Sequence, residues 1–326
     1  MQKSLLKTRF EYRPFEYPEA YTYWEKQQQS HWLHHEVQMS QDITDWSSKL
    51  SETDKQIIGS ILKGFTQAEI IIGDYWSNKV ANWFKKPEIQ LMANAFSAFE
   101  GIHQVSYAYL NDSLGFEDYT AFVSHPPTKD KLDRIINLPG KSNEDKALSL
   151  AIFSAFNEGV NLFSSFLVLL NYSRFNLLKG VGQIIAFSCK DETLHSDGGC
   201  WLFNTFISEN PKVKTSEFDT KIYEAAELTR QLEFNFIDSC FELGNPPGLT
   251  KEELKQFIDY RLNTKLIQIG YKAVYPVDKK ILEGLFWFDV IVSGTKHADF
   301  FSSRVDDYSR GVTSMSNLRD RLIKKI

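Results

Sequence analysis

Cysteine is scarce. The chain has three, Cys189, Cys200 and Cys240, odd in number, widely spaced and without a CxxC pair. Such a set builds neither a disulfide framework nor a thiolate metal knuckle, so the expected role is small buried hydrophobes in a reduced chain. Long apolar runs are missing too. The greasiest stretches, 166–170 and 285–292, are short or broken by charge, whereas a membrane span needs about 20 apolar residues. The first ten residues, MQKSLLKTRF, lack the apolar centre of a secretory signal, and the expected location is the cytoplasm. An excess of positive charge is also absent: 37 Lys and Arg stand against 42 Asp and Glu, a net charge of −5. Proteins that live on nucleic-acid phosphates usually carry the opposite balance. Neither GxGxxG nor GxxxxGK[ST] occurs, so no nucleotide-phosphate loop is expected. The 326 residues, 42% hydrophobic and 24% charged, are otherwise ordinary for a chain with a substantial core.

Proline is thinly and unevenly spread. Ten are present, with none between Pro18 and Pro87 or between Pro139 and Pro211. Proline inside a helix costs about 3 kcal/mol, so these gaps leave room for long helices. The apolar period agrees: Ile57, Ile58, Ile61, Leu62 and Phe65 recur at helical spacing, and strict alternation is rare. Thr53 with Gln56 and Thr250 with Glu253 read as capping boxes, and Ser142 before Asn143, Glu144 and Asp145 supplies a cap with first-turn acids. These signals place helices near 53–84, 88–114, 143–178, 182–208, 220–243, 250–273 and 279–295. Between them, 115–141 is a long connection carrying a short helix. The expected fold is all-α, a bundle of long helices with a loosely organised N-terminus and a polar C-terminal tail.

Acids inside such helices need a reason, because an unpaired buried charge is expensive. Glu100-Gly-Ile-His103 and Glu192-Thr-Leu-His195 each set a carboxylate and an imidazole three residues apart, on one helix face. With seven histidines and 42 acids in 326 residues, about one such pair arises by chance, so the pairs alone say little. Their surroundings say more. Phe96, Glu100, His103, Tyr107 and Leu110 form one stripe, and Val181, Ile185, Ser188, Glu192 and His195 form another. Two further long helices each carry one acid amid apolar residues, Glu69 and Glu158. A Glu, a Glu-x-x-His, a Glu and a second Glu-x-x-His make the ligand set of ferritin-like dinuclear carboxylate proteins, whose bundle core holds two iron or manganese ions. Four carboxylates and two neutral imidazoles suit mid-series divalent metals and balance their charge. Unrelated core ion pairs would need basic partners on those stripes, and none is there. His31, His34 and His35, around Trp32, read as solvated surface residues; His125 lies in a loop and His297 near a helix end, and none of these is assigned to metal.

The motifs Phe-Glu-Gly-Ile-His-Gln-Val-Ser-Tyr (99–107) and Cys-Lys-Asp-Glu-Thr-Leu-His (189–195), with separations of 31 residues from Glu69 to Glu100 and 34 from Glu158 to Glu192, resemble the small (beta) subunit of class I ribonucleotide reductase. The resemblance implies that Glu69, Glu100, His103, Glu158, Glu192 and His195 are the six metal ligands. Tyr107 matches the family's radical tyrosine. Asp191 resembles the carboxylate that links a ligand histidine to a tryptophan, Trp32 resembles that tryptophan, and Tyr308 resembles the tail tyrosine that passes the radical onward. In this reading the dimetal centre stores an oxidising equivalent that travels through Trp32, Asp191 and Tyr308 to the large (alpha) subunit, where ribonucleotides become deoxyribonucleotides. Residues 1–310 would form one ferritin-like domain and 311–326 the tail that docks on the large subunit. The implied partners are that subunit, a second copy in a homodimer, and an accessory flavoprotein activase; nucleic acid and membrane are not among them.

Several positions depart from the iron–tyrosyl subclass. The first ligand there is most often aspartate; here it is Glu69, the longer acid of manganese-using relatives. Leu162 and Ser188 stand where that subclass has bulkier, wholly apolar residues, and a hydroxyl beside Tyr107 is unexpected around a stored tyrosyl radical. The expected cofactor is therefore a dimanganese or manganese–iron pair rather than a diiron–tyrosyl centre. A ferritin-like oxidase or oxygenase acting on a small molecule is the alternative, and it would leave Trp32, Asp191 and Tyr308 without a task.

Overall fold

The computed structural model describes residues 3–116, 126–242 and 244–294. Tyr308, the segment 311–326, His125 and His297 lie outside the described residues. Among the described residues there is no strand, as the proline gaps and the helical period require.

The helices are α1 (Pro18–Gln29), α2 (Ser40–Ser48), α3 (Glu52–Asp74), α4 (Pro87–Leu114), α5 (Pro126–Ile136), α6 (Asn143–Leu150), α7 (Phe163–Arg174), α8 (Lys179–Glu209), α9 (Ser216–Glu242), α10 (Lys251–Gln268), α11 (Lys279–Gly284) and α12 (Trp287–Gly294). Two π-helical segments interrupt the long rods. Tyr75–Val80 continues α3, and Ala151–Asn161 joins α6 to α7. Wide π turns are rare and concentrate at functional sites; the second one holds Glu158. The rod Asn143–Arg174 is long and apolar enough by composition to cross a membrane, which the sequence expectation about apolar runs missed. However, 94% of its apolar window is buried inside the protein. It is the central rod of the bundle, enclosed by α8, α9 and α10.

The capping boxes at Ser142–Asp145 and Thr250–Glu253 form as expected. At α3 the cap is Ser51, whose hydroxyl accepts from the Asp54 amide, and not Thr53. The N-terminus is not loose. Its helix α1 lies along α4, and two acids on other elements, buried Glu88 and half-buried Glu209, anchor the segment before it. Glu88 accepts from the Glu16 and Tyr17 amides and from Arg9, while Glu209 accepts from the Leu5 amide and the Tyr17 hydroxyl. All three cysteines are free and buried. A single apolar cluster runs through the bundle, and α3, α4, the π-segment Ala151–Asn161 and α8 surround its middle.

Close packing at that middle depends on α8 lacking side chains at two positions. A Cβ on Gly198 would come within 2.9 Å of the Phe96 ring, and one on Gly199 within 2.0 Å of Ser154 Oγ. Glycine here lets α8 approach α4 and the π-segment closely enough for their carboxylates to meet.

Candidate metal centre

Glu69 comes from α3, Glu100 and His103 from α4, Glu158 from the π-segment, and Glu192 and His195 from α8. All six are at most 2% exposed. They gather into two overlapping groups, Glu69, Glu100, His103 and Glu192 in one and Glu100, Glu158, Glu192 and His195 in the other, with the ligand atoms of each group within 4.8 Å of one another. Glu100 and Glu192 belong to both.

The outer side of each imidazole is already occupied. His103 Nε2 lies 3.1 Å from Asp191 Oδ2, and His195 Nε2 lies 2.9 Å from Gln27 Oε1. Both acceptors are oxygens, so in the neutral imidazole that binds a metal each Nε2 carries the proton and each Nδ1 keeps its lone pair. Both Nδ1 atoms point inward: His103 Nδ1 is 2.9 Å from Glu100 and 3.2 Å from Glu192, and His195 Nδ1 is 2.7 Å from Glu100.

Protein atoms alone leave this centre poorly satisfied. Neither oxygen of Glu69 has a hydrogen-bond partner, and Glu192 and Glu158 Oε2 are buried with only cluster members nearby. Among the described residues no Lys or Arg pairs with any of the four glutamates. Burial, reinforced by the Glu100 charge, pushes Glu69 and Glu192 far above the usual carboxylate range. Burial also opposes the charge on Glu100, but His195 and His103 outweigh it and hold Glu100 down at about 2. Burial pulls His195 down, yet Glu100 more than offsets this and lifts it to about 9. Buried charges of this kind need compensation. Two divalent cations would neutralise four carboxylates, and the donor set of oxygen and imidazole nitrogen suits iron or manganese. The cluster fits a dinuclear metal site.

Of the residues expected to carry the radical, Trp32 and Asp191 meet. Trp32, 1% exposed, donates its indole N–H to Asp191 Oδ2 at 2.8 Å, the same oxygen that faces His103. Tyr107 is fully buried, its ring 5.0 Å from Phe65, and its hydroxyl has no hydrogen-bond partner. Burial raises its pKa well above the ordinary phenol value. Ser188 donates to the Ile184 carbonyl at 3.1 Å, and Leu162 lies in the same core. His31 and His34 are half-buried rather than solvated, packed on Phe99 and Tyr109 of α4; only His35 is exposed, and none of the three joins the cluster.

Two residues escaped the sequence reading. Gln27 donates to Asp191 Oδ1 at 2.9 Å while its oxygen meets His195, so a single amide ties the outer sides of both histidines together. Trp76, in the first π-segment, donates its N–H to Glu158 Oε1 at 3.1 Å. A glutamine in Trp-Glu-Lys-Gln-Gln-Gln carries no periodic signal. Trp76 had one: it is seven residues beyond Glu69, two turns along the same face.

Comparison with known proteins agrees. The profile of the family described as ribonucleotide reductase, small chain, matches residues 9–281. A probable ribonucleoside-diphosphate reductase small subunit of Invertebrate iridescent virus 3 is 33% identical, covering 95% of this chain and 86% of its own. The corresponding protein of Invertebrate iridescent virus 6 is 32% identical over 94% of this chain and 95% of its own. Among solved structures, the dimanganese(II)-NrdF of Streptococcus sanguinis superposes with a TM-score of 0.74 at 22% identity, covering 86% of this chain and 99% of that one, which shows the shared ferritin-like fold. The chain belongs to the ribonucleotide reductase small-chain family, the beta subunits of that oxidoreductase.

Proposed function

We propose that this chain is the radical-generating beta subunit of a class I ribonucleotide reductase, with Glu69, Glu100, His103, Glu158, Glu192 and His195 holding two metal ions. The observation that carries the reading is the pair of overlapping four-residue groups in the core, short of hydrogen bonds and rich in negative charge. When bound, the ions supply one-electron oxidising power raised by a small oxygen species. The chain's own residues do the rest. Asp191 and Gln27 orient the two imidazoles; the helices around the cluster exclude water; and Asp191, bonded to both His103 and Trp32, offers a hydrogen-bonded way out of the core. From Trp32 the oxidising equivalent passes by way of Tyr308 to the large subunit, on which the segment 311–326 docks. The active form is a homodimer, the chain works in the cytoplasm, and an accessory flavoprotein supplies the oxidant.

The metal pair is dimanganese or manganese–iron, and Tyr107 does not store the radical. Glu69 at the first ligand position and the Ser188 hydroxyl near the Tyr107 phenol support this, as does a dimanganese protein among the structural neighbours. The test is elemental analysis after reconstitution with each metal, read together with electron paramagnetic resonance. About two metals per chain are expected from this ligand set, lost in Glu100→Ala, with no tyrosyl signal that disappears in Tyr107→Phe. Near-absence of metal under every loading condition would overturn the function; a tyrosyl signal lost with activity in Tyr107→Phe would overturn the subclass.

A further inference from the structure

The π-segment Tyr75–Val80 and the turn Ala81–Trp83 that follows it carry three easily oxidised side chains in succession, and the proposed radical path uses none of them. Trp76 is fully buried and hydrogen-bonded to Glu158 at 3.1 Å. Its ring centroid is 6.2 Å from that of Tyr75, and Tyr75 is 6.0 Å from Trp83. Trp83 is half-buried, so the series leads from the cluster to the surface. The other rings around Trp76 and Tyr75 include Phe96 and Phe153. Phenylalanine is far harder to oxidise than indole or phenol, which confines any hole to the Trp76–Tyr75–Trp83 line.

This line and the Trp32 line leave from different residues. Trp32 reaches the cluster through Asp191 and His103, which belongs to the first four-residue group; Trp76 reaches it through Glu158, in the second. A tryptophan that merely filled the core would need neither Tyr75 beside it nor a half-exposed tryptophan beyond.

We propose that Trp76, Tyr75 and Trp83 form a second electron relay, which drains an unused oxidising equivalent from the metal centre to a small thiol at the surface. The inference rests on the dimetal reading above. In the step, Trp76 gives one electron to the oxidised centre and regains one, through Tyr75, from Trp83; its N–H proton stays in the bond to Glu158. Tyr75 acts as a bridge. The Lys79 ammonium, 5.7 Å from its ring, disfavours a resting positive charge there. Trp83 loses the electron and releases its indole proton to water. A thiol then returns a hydrogen atom to Trp83, and two thiyl radicals join as a disulfide. Each oxidising equivalent thus consumes one thiol and releases one proton, and all three aromatic residues are restored.

The experiment uses the full chain, metal-loaded and oxidised without the large subunit, and follows decay of the oxidised centre by electron paramagnetic resonance and absorbance. Trp83→Phe and Tyr75→Phe leave every cluster contact in place and should lengthen the lifetime several-fold. They should also make it insensitive to added dithiothreitol, with turnover alongside the large subunit unchanged. Without thiol, mass spectrometry should find oxidised tryptophan at Trp83 in the parent chain, and none there in Trp76→Phe. Unchanged decay in Trp83→Phe and Tyr75→Phe, with no oxidation product at Trp83, would overturn the relay and leave the dimetal reading intact. Failure of the parent chain to take up metal would overturn both.

Discussion

Asp191 and Gln27 decide which nitrogen of each imidazole faces the carboxylates, so the chemistry of the centre is set one layer outside it. Asp191 contacts His103, Trp32 and Gln27, with Ser30 donating to it at a longer 3.4 Å; Gln27 makes the matching contact to His195. Loss of such an outer partner typically costs about 10–100-fold in metal affinity. Gln27→Leu, close in volume but unable to accept from His195 Nε2, should therefore weaken metal binding by about that factor while leaving the helices intact. Competition with a chromophoric chelator, with circular dichroism as the control for folding, measures it; an unchanged affinity would mean that His195 needs no outer partner. Residues at this scale divide by legibility. Glu100 and His103 announce themselves by spacing on one stripe, and Asp191 by its place in a recognisable motif. Gln27 does not, because its role exists only where α1 packs against α4 and α8.

At the scale of elements, the bundle is built around close approaches that its glycines permit. A Cβ on Gly199 would lie 2.0 Å from Ser154 Oγ, 2.3 Å from Ser154 Cβ and 3.2 Å from the Trp76 ring. The serine hydroxyl could rotate away, but its Cβ cannot, so the backbone of α8 or of the π-segment must move. Overpacking of this kind costs about 1–3 kcal/mol, against at most about 1 kcal/mol gained from replacing a helical glycine by alanine. Gly199→Ala should be net destabilising, seen as a lower urea midpoint, and should lower metal occupancy because Glu158 and Glu192 move apart. A midpoint at or above that of the parent chain would show that the interface is looser than these distances indicate. The elements themselves were mostly readable. The two π-segments were not: Ala151–Asn161 is buried on nearly every face, so it has no apolar period to reveal a change of register, and Tyr75–Val80 is only six residues long. The cap of α3 shifted from Thr53 to Ser51 for a similar reason, since both sequences supply an oxygen and a polar residue three positions on.

For the whole molecule, the division of labour with the large subunit is the decisive question. Trp32 hydrogen-bonds Asp191 and packs over His103 at 6.0 Å without belonging to the carboxylate–imidazole cluster. Trp32→Phe and Tyr308→Phe are therefore expected to abolish nucleotide reduction with the large subunit while both metals still bind. Turnover and metal content, measured on the same samples, check this. Retained turnover in both variants would favour an oxidase acting on a small molecule, which has no use for a path to a partner.

The sequence by itself determined an all-helical bundle, because proline gaps and apolar period act locally along the chain. It also named the six acids and imidazoles of the cluster, since side chains that share a helix face leave their spacing in the chain. What it left open, tertiary structure decided. The N-terminal segment is firmly anchored because Glu88 and Glu209, far away in sequence, accept its amides. The tautomers follow from oxygens that reach the histidines from other elements, and Trp76 meets Glu158 across two π-segments. Periodicity reports which face of a helix is buried; only packing decides what that face meets.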